Sequence, residues 1–176
     1  MPSPRDPNWA SKLSTSLHLV RPYADEAQLV DLVARFLGVG LVRGESIVML
    51  AVDHHSSAVC DRLTEVGFHL AAAREKNQLH VYDARDMLDR LLLGGVPDRE
   101  RFRRVIGGVL TQAAGGSRRR IRVFGEMLDL CWRAGDIESA LRLETFWNEL
   151  QNERAVDVLV SYSKGSEFRE AQPHSA

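Results

Sequence analysis

The feature that most constrains this chain is the run Ser46 to Val52, which is apolar almost without interruption. A strand with one wet face alternates apolar and polar side chains. A run without alternation must be covered on both faces. Gly44 before it and Asp53 after it bound a length that suits a strand rather than a helix. Four more short apolar runs follow the same logic: Leu17 to Val20, Leu79 to Tyr82, Ile121 to Phe124 and Val156 to Tyr162.

Helical periodicity fills the intervals. Asp25 to Val42 carries Leu29, Val30, Val33, Phe36, Leu37 and Leu41 on one wide stripe, with Asp31 and Arg35 opposite. Ser56 to Val66 places Val59, Cys60, Leu63 and Val66 inward, and Gly67 is suited to stop it. A short helix is expected over Asp86 to Leu93. Pro97 and Asp98 open a longer one with Phe102, Val105, Ile106, Val109, Leu110 and Ala113 on one face, closed by Gly115 and Gly116. Gly125 and Glu126 lead into a helix through Trp132, and Asp136 caps another that runs to Gln151. Trp132 and Trp147 read as core. Strands alternating with helices predict an α/β fold: a mostly parallel sheet with helices on both faces. Residues 1–16 and 164–176 are polar and read as flexible ends around one domain over 17–163.

Such a sheet binds ligands beyond the carboxyl ends of its strands. That rule nominates Arg21 to Asp25, Asp53 to His55, Asp83 and Gly125 to Met127. Within that set Tyr23, Asp53, His54, Gly125 and Glu126 are candidate ligand-binding residues, joined by Tyr162 at the end of the last strand. Glu126 reads equally as a ligand-facing acid or as a carboxylate stabilised at a helix start. His54 and His55 are adjacent and read as loop residues. No metal site is assigned to them, metal binding being the minor alternative. His18, on a strand, reads as a satisfied core histidine. Ile137, Leu141, Glu144 and Asn148 share one helical row, so Glu144 and Asn148 read as buried, hydrogen-bonded structural groups.

Catalytic and cofactor signatures are thin. The first strand-to-helix junction is where a phosphate-binding loop places GxxxxGK[ST], whose backbone N–H groups wrap a phosphate while its lysine neutralises it. Here it reads Arg21-Pro22-Tyr23-Ala24-Asp25-Glu26. Pro22 lacks an N–H, and the two carboxylates oppose a triphosphate. Neither HExxH, paired CxxC, GxSxG nor GxGxxG occurs. The expectation is a protein that is not an enzyme and uses no cofactor. A net charge of −1 argues against nucleic acid as the main partner. The basic run Arg118 to Arg120 reads as a solvated approach to a strand. Two isolated cysteines, Cys60 and Cys131, and the lack of a signal-like or membrane-length apolar segment lead to a cytoplasmic expectation.

Gly44-Glu45 before an apolar strand, a helix ending at Gly67 and a strand ending at Asp83 resemble KaiC/RecA-like ATPases. A closer resemblance is to the MEDS domain, the methanogen/methylotroph DcmR sensory domain. It rests on His18 with Tyr23, Gly40-Leu41 with Gly44-Glu45, the run Arg122-Val123-Phe124-Gly125-Glu126-Met127, Glu144 with Asn148, and a closing strand ending at Tyr162. These span Leu17 to Ser163. Where a cysteine and a polar residue are expected before that tyrosine, this chain has Leu159-Val160-Ser161. The resemblance implies a RecA/KaiC-like three-layer architecture without the Walker A loop. It also implies a sensory role: a small molecule, such as a hydrocarbon derivative, biases a regulator. The partner implied is a sensor kinase or a transcriptional regulator. The alternative is a ligand-free interaction scaffold derived from a degenerate ATPase fold.

Overall fold

The computed structural model describes residues 16–116 and 119–163. Its centre is a five-stranded, wholly parallel sheet in the order β1-β7-β6-β2-β3, formed by β1 (His18–Tyr23), β2 (Ser46–Ala51), β3 (Leu79–Asp83), β6 (Ile121–Gly125) and β7 (Val156–Ser163). A two-residue-per-strand hairpin, β4 (Leu92–Leu93) with β5 (Val96–Pro97), stands apart from it. The helices are α1 (Glu26–Val42), α2 (Asp53–Glu65), α3 (Leu70–Glu75), α4 (Ala84–Leu91), α5 (Arg99–Ala114), α6 (Met127–Arg133) and α7 (Ile137–Glu153).

Two apolar clusters show that both sheet faces are covered. Val48, Leu50, Val123, Val158 and Val160 pack against α4, α5, α6 and α7. Ile47, Met49, Ala51, Phe124 and Leu159 pack against α1, α2 and α3. Every residue of β2 is buried, as its unbroken apolar run requires. The architecture is therefore the expected α/β sandwich of three layers. Trp147 anchors one layer, fully buried and edge-on to Phe102 with ring centroids 5.3 Å apart.

Several boundaries differ from the sequence reading. β1 runs on to Tyr23, because Arg21, Pro22 and Tyr23 stay in parallel register with Ser161, Tyr162 and Ser163. Pro22 is tolerated because β1 is an edge strand. α2 begins at Asp53, so His54 and His55 lie in a helix rather than a loop. The short helix expected over Asp86 to Leu93 begins at Ala84, capped by the Asp83 carboxylate, and ends at Leu91. Leu92 and Leu93 turn into the hairpin. Val66 is 56% exposed rather than inward, since the chain leaves the helix there towards Gly67. Trp132 is half-buried. Arg118 lies outside the described residues, as do residues 1–15 and 164–176 of the expected ends, while Arg120 is paired with Asp157 rather than merely solvated.

The amino end of the sheet holds a buried ion network. Arg122 donates to Glu45, and Asp157 receives two bonds from Arg120, at 3.1 and 2.7 Å, and one from the Leu17 N–H at 2.9 Å. α1 crosses directly above it. A Cβ at Gly40 would lie 2.8 Å from Arg122 Cδ and 3.0 Å from Ile47 Cγ2. Glycine is the residue that allows this crossing.

Candidate functional site

The register of the sheet gathers the strand ends. Ala51 stands opposite Asp83, Leu50 opposite Gly125, Gly125 opposite Val160, and Tyr23 opposite Ser163. At this carboxyl edge the chain turns into α1, α2, α4 and α6. Polar residues that follow the strands are thereby brought together, although they come from distant parts of the sequence.

Glu126 is the centre of the arrangement. It is 2% exposed and begins α6 immediately after β6. Its backbone N–H continues the sheet by donating to the Leu50 carbonyl at 2.9 Å. Its Oε2 accepts the Val52 N–H at 2.7 Å, and its Oε1 is hydrogen-bonded to His55 Nδ1. The other ring nitrogen of His55 faces outward, 3.5 Å from Glu26 Oε1. Burial opposes charging of His55. The hydrogen bond to Glu126, then the charges of Glu126 and Glu26, outweigh it and raise its pKa above the ordinary value.

Beside this chain lies a second one. Tyr23, 6% exposed, donates its hydroxyl to Asp129 Oδ2 at 3.2 Å. Asp129 is 3% exposed, and its Oδ1 accepts the Ser163 N–H at 3.2 Å. Arg133, one turn along α6, reaches Asp129 Oδ2 at 3.5 Å. Burial, reinforced by the charge of Asp129 and by the hydrogen bond to it, pushes the Tyr23 hydroxyl up to about 12. Two further polar atoms near this edge, Trp147 Nε1 and Ser161 Oγ, are buried with no hydrogen-bond partner among the described residues. The Trp147 ring lies against Gly125, 3.9 Å from where a Cβ would stand.

The start of α1 does not form a phosphate cradle. Asp25 caps the helix by accepting the Gln28 N–H at 2.8 Å, and the Ala24 N–H donates to Gln28 Oε1 at 2.7 Å. Two of the backbone donors at this junction, those of Ala24 and Gln28, are thereby engaged.

The remaining nominated residues fall as follows. Asp53 and His54 are exposed in the first turn of α2, with His54 Nε2 3.7 Å from Glu26 Oε1. Tyr162 is 36% exposed, its ring 6.3 Å from that of Trp132, away from the Glu126 network. His18, Glu144 and Asn148 do meet. His18 Nδ1 is hydrogen-bonded to Asn148 Oδ1 at 2.9 Å, and His18 Nε2 lies 3.5 Å from Glu144. Their setting differs from expectation, because Glu144 is half-buried and Asn148 exposed. The buried face of α7 is that of Ala140, Leu143, Phe146, Trp147 and Leu150, whereas Leu141 on the expected row is 60% exposed.

Sequence reasoning missed Glu26 and Asp129, and it nominated His55 by its place at the sheet edge without choosing it as a ligand-binding residue. Asp129 was detectable: it stands three positions after Glu126 inside a run that otherwise packs on the core, and a buried carboxylate needs partners. Glu26 left no such signal and His55 only its position after a strand, since only the folded chain brings the starts of α1 and α2 together.

A groove of about 440 Å³ opens elsewhere, between α1 and α2. It is lined by Val39, Val42, Val66 and Phe68 with Arg35 and Arg43. Among the described residues no helix is long and apolar enough to cross a membrane.

No curated protein and no solved structure matches this chain significantly. A family model does: the one described as MEDS, the methanogen/methylotroph DcmR sensory domain, matches residues 17–172. Most of the chain lies within that match, which takes in the whole parallel sheet and every residue of the polar network at its carboxyl edge; the chain belongs to the MEDS family of sensory domains.

Proposed function

We propose that the chain is a non-catalytic sensory module. It takes up a small, neutral or weakly polar molecule, such as a hydrocarbon derivative, at the carboxyl edge of the sheet. It signals to a regulatory protein partner, a sensor kinase or a transcriptional regulator. The observation that carries the reading is the buried polar network of Glu126, His55, Tyr23 and Asp129, accompanied by the unpartnered Trp147 Nε1 and Ser161 Oγ. Buried polar atoms without partners are rare, and a ligand at the edge would supply one. The layout descends from that of RecA/KaiC-like ATPases, but the occupied N–H groups at the start of α1 and the carboxylates of Asp25 and Glu26 disfavour a triphosphate.

The test is a thermal-shift screen of small organic compounds on the wild type, Glu126→Gln and Tyr23→Phe, beside calorimetry with magnesium-ATP. Compounds that stabilise the wild type but neither variant support the reading. Micromolar ATP binding with turnover contradicts it.

A second reading, a ligand-free interaction scaffold, draws on the groove between α1 and α2, where Val42 is 77% and Val66 56% exposed. It gains if no compound stabilises the wild type while Val42→Asp abolishes capture of a regulator of known identity.

A further inference from the structure

We propose that Glu26, His54 and His55 form a binding site for a divalent transition-metal ion of the zinc class. The first observation is their convergence. One ligand atom from each residue, a Glu26 carboxylate oxygen and a ring nitrogen of each histidine, lie within 4.8 Å of one another. Glu26 Oε1 is 3.5 Å from His55 Nε2 and 3.7 Å from His54 Nε2. Zinc bonds of about 2.0–2.1 Å place neighbouring ligands of a tetrahedron roughly 3.3 Å apart. Small rotations of two exposed side chains, Glu26 and His54, close the remaining difference.

The second observation is independent and concerns His55. Its Nδ1 is hydrogen-bonded to the buried Glu126, whose other oxygen already accepts the Val52 N–H. A carboxylate only accepts, so Nδ1 carries the hydrogen, and neutral His55 turns the lone pair of Nε2 towards Glu26. A metal ion or a proton on Nε2 would each meet the Glu26 carboxylate, 3.5 Å away, so the two compete for this position. The arrangement of carboxylate, histidine and open ligand position is the one by which metal-binding histidines are oriented. Two imidazoles and one carboxylate select zinc, cobalt or nickel over magnesium or calcium, and three protein ligands leave a position for water or a small molecule.

The adjacency of His54 and His55 is not an obstacle. Their rings are 4.1 Å apart between centroids and tilted by 51°, so both reach Glu26 from the first turn of α2. The amino ends of α1 and α2 carry partial positive charge that opposes a cation here. Glu26, Asp25 and Asp53 supply compensating charge in the same turns.

The site shares His55 with the network of the small-molecule reading, while Tyr23 and Asp129 take no part in it. The test uses the full chain after treatment with chelator. Zinc is titrated by calorimetry and cobalt(II) by its visible absorption. One ion per chain is expected, with a cobalt spectrum of nitrogen and oxygen ligands in a tetrahedral field. His54→Ala and Glu26→Gln alter exposed groups, and circular dichroism checks that they fold. Each is expected to weaken binding by about tenfold or more, the scale on which even outer partners of a metal site act. His69→Ala, at an exposed histidine outside the cluster, is expected to bind as the wild type does. Absence of zinc binding overturns the proposal. So does equal weakening by His69→Ala and His54→Ala, or a cobalt spectrum with thiolate charge transfer, which would place the ion at a cysteine. Compounds that shift the melting of a chain unable to bind zinc leave the ligand reading standing while this one fails. Zinc binding with no compound response does the reverse.

Discussion

His55 and Glu126 lie 71 positions apart in the chain and are joined by a hydrogen bond at the carboxyl edge of the sheet. The bond ties the first turn of α2 to the first residue after β6. Glu126 also holds the Val52 N–H, so one carboxylate secures both the end of β2 and the start of the helix that follows it.

Glu126→Ala is therefore expected to destabilise by about 3 kcal/mol, since it leaves two buried donors unpaired. Glu126→Gln is expected to cost about 1 kcal/mol. Its amide oxygen can still take the Val52 N–H, and its amide N–H₂ can donate to His55 once the imidazole adopts the other tautomer. Equilibrium denaturation measures the two costs, and imidazole nitrogen shifts report the tautomer.

Gly40 and Gly108 are expected to respond oppositely to alanine. Both are helical, so alanine adds up to about 1 kcal/mol of intrinsic preference at each. Nothing lies within 4 Å of a Cβ at Gly108, and Gly108→Ala is expected to stabilise. At Gly40 the new methyl meets Arg122 Cδ at 2.8 Å, and the guanidinium beyond it is held by Glu45. Gly40→Ala is expected to lose about 1–3 kcal/mol net, as overpacking does. Denaturant midpoints of the two variants decide it.

The Tyr23 hydroxyl gives an alkaline dependence of stability. Its folded pKa of about 12 lies above the unfolded value of 10.0, so the fold prefers the neutral hydroxyl. Its contribution is complete below pH 10 and is lost as pH rises from there towards 12. Unfolding free energies of wild type and Tyr23→Phe, measured from pH 8 to 11, are expected to converge as pH rises. A constant difference would place the hydroxyl in water.

Glu144→Ala is expected to cost less than about 1 kcal/mol. Glu144 is half-buried and meets His18 Nε2 at 3.5 Å, the geometry of a partly solvated pair. Asn148→Ala removes the acceptor of a 2.9 Å bond to His18, and is expected to cost about 0.5–1.5 kcal/mol. Chemical denaturation with both single variants tests the ordering.

The sequence by itself determined the layers of this protein. Ser46 to Val52 could only be a strand covered on both faces, and the stripe of Leu29, Val33, Phe36 and Leu37 could only be a helix laid on such a sheet. It also determined that the α1 junction lacks the glycines and lysine of a phosphate-binding loop, because Pro22, Asp25 and Glu26 are local facts. Tertiary structure decided the rest. Strand order is invisible in periodicity: β1, first in the chain, pairs with β7, the last. That pairing carries Ser163 to Asp129 and Tyr23 to the same carboxylate. The face of α7 was misjudged from its sequence because Leu141 and Leu143 are equally apolar, and only packing decides which is covered. His54 and His55 looked like loop residues until α2 was seen to start at Asp53, beside a glutamate that opens a different helix. Sequence patterns record what one element needs from water. They do not record which other element it will meet.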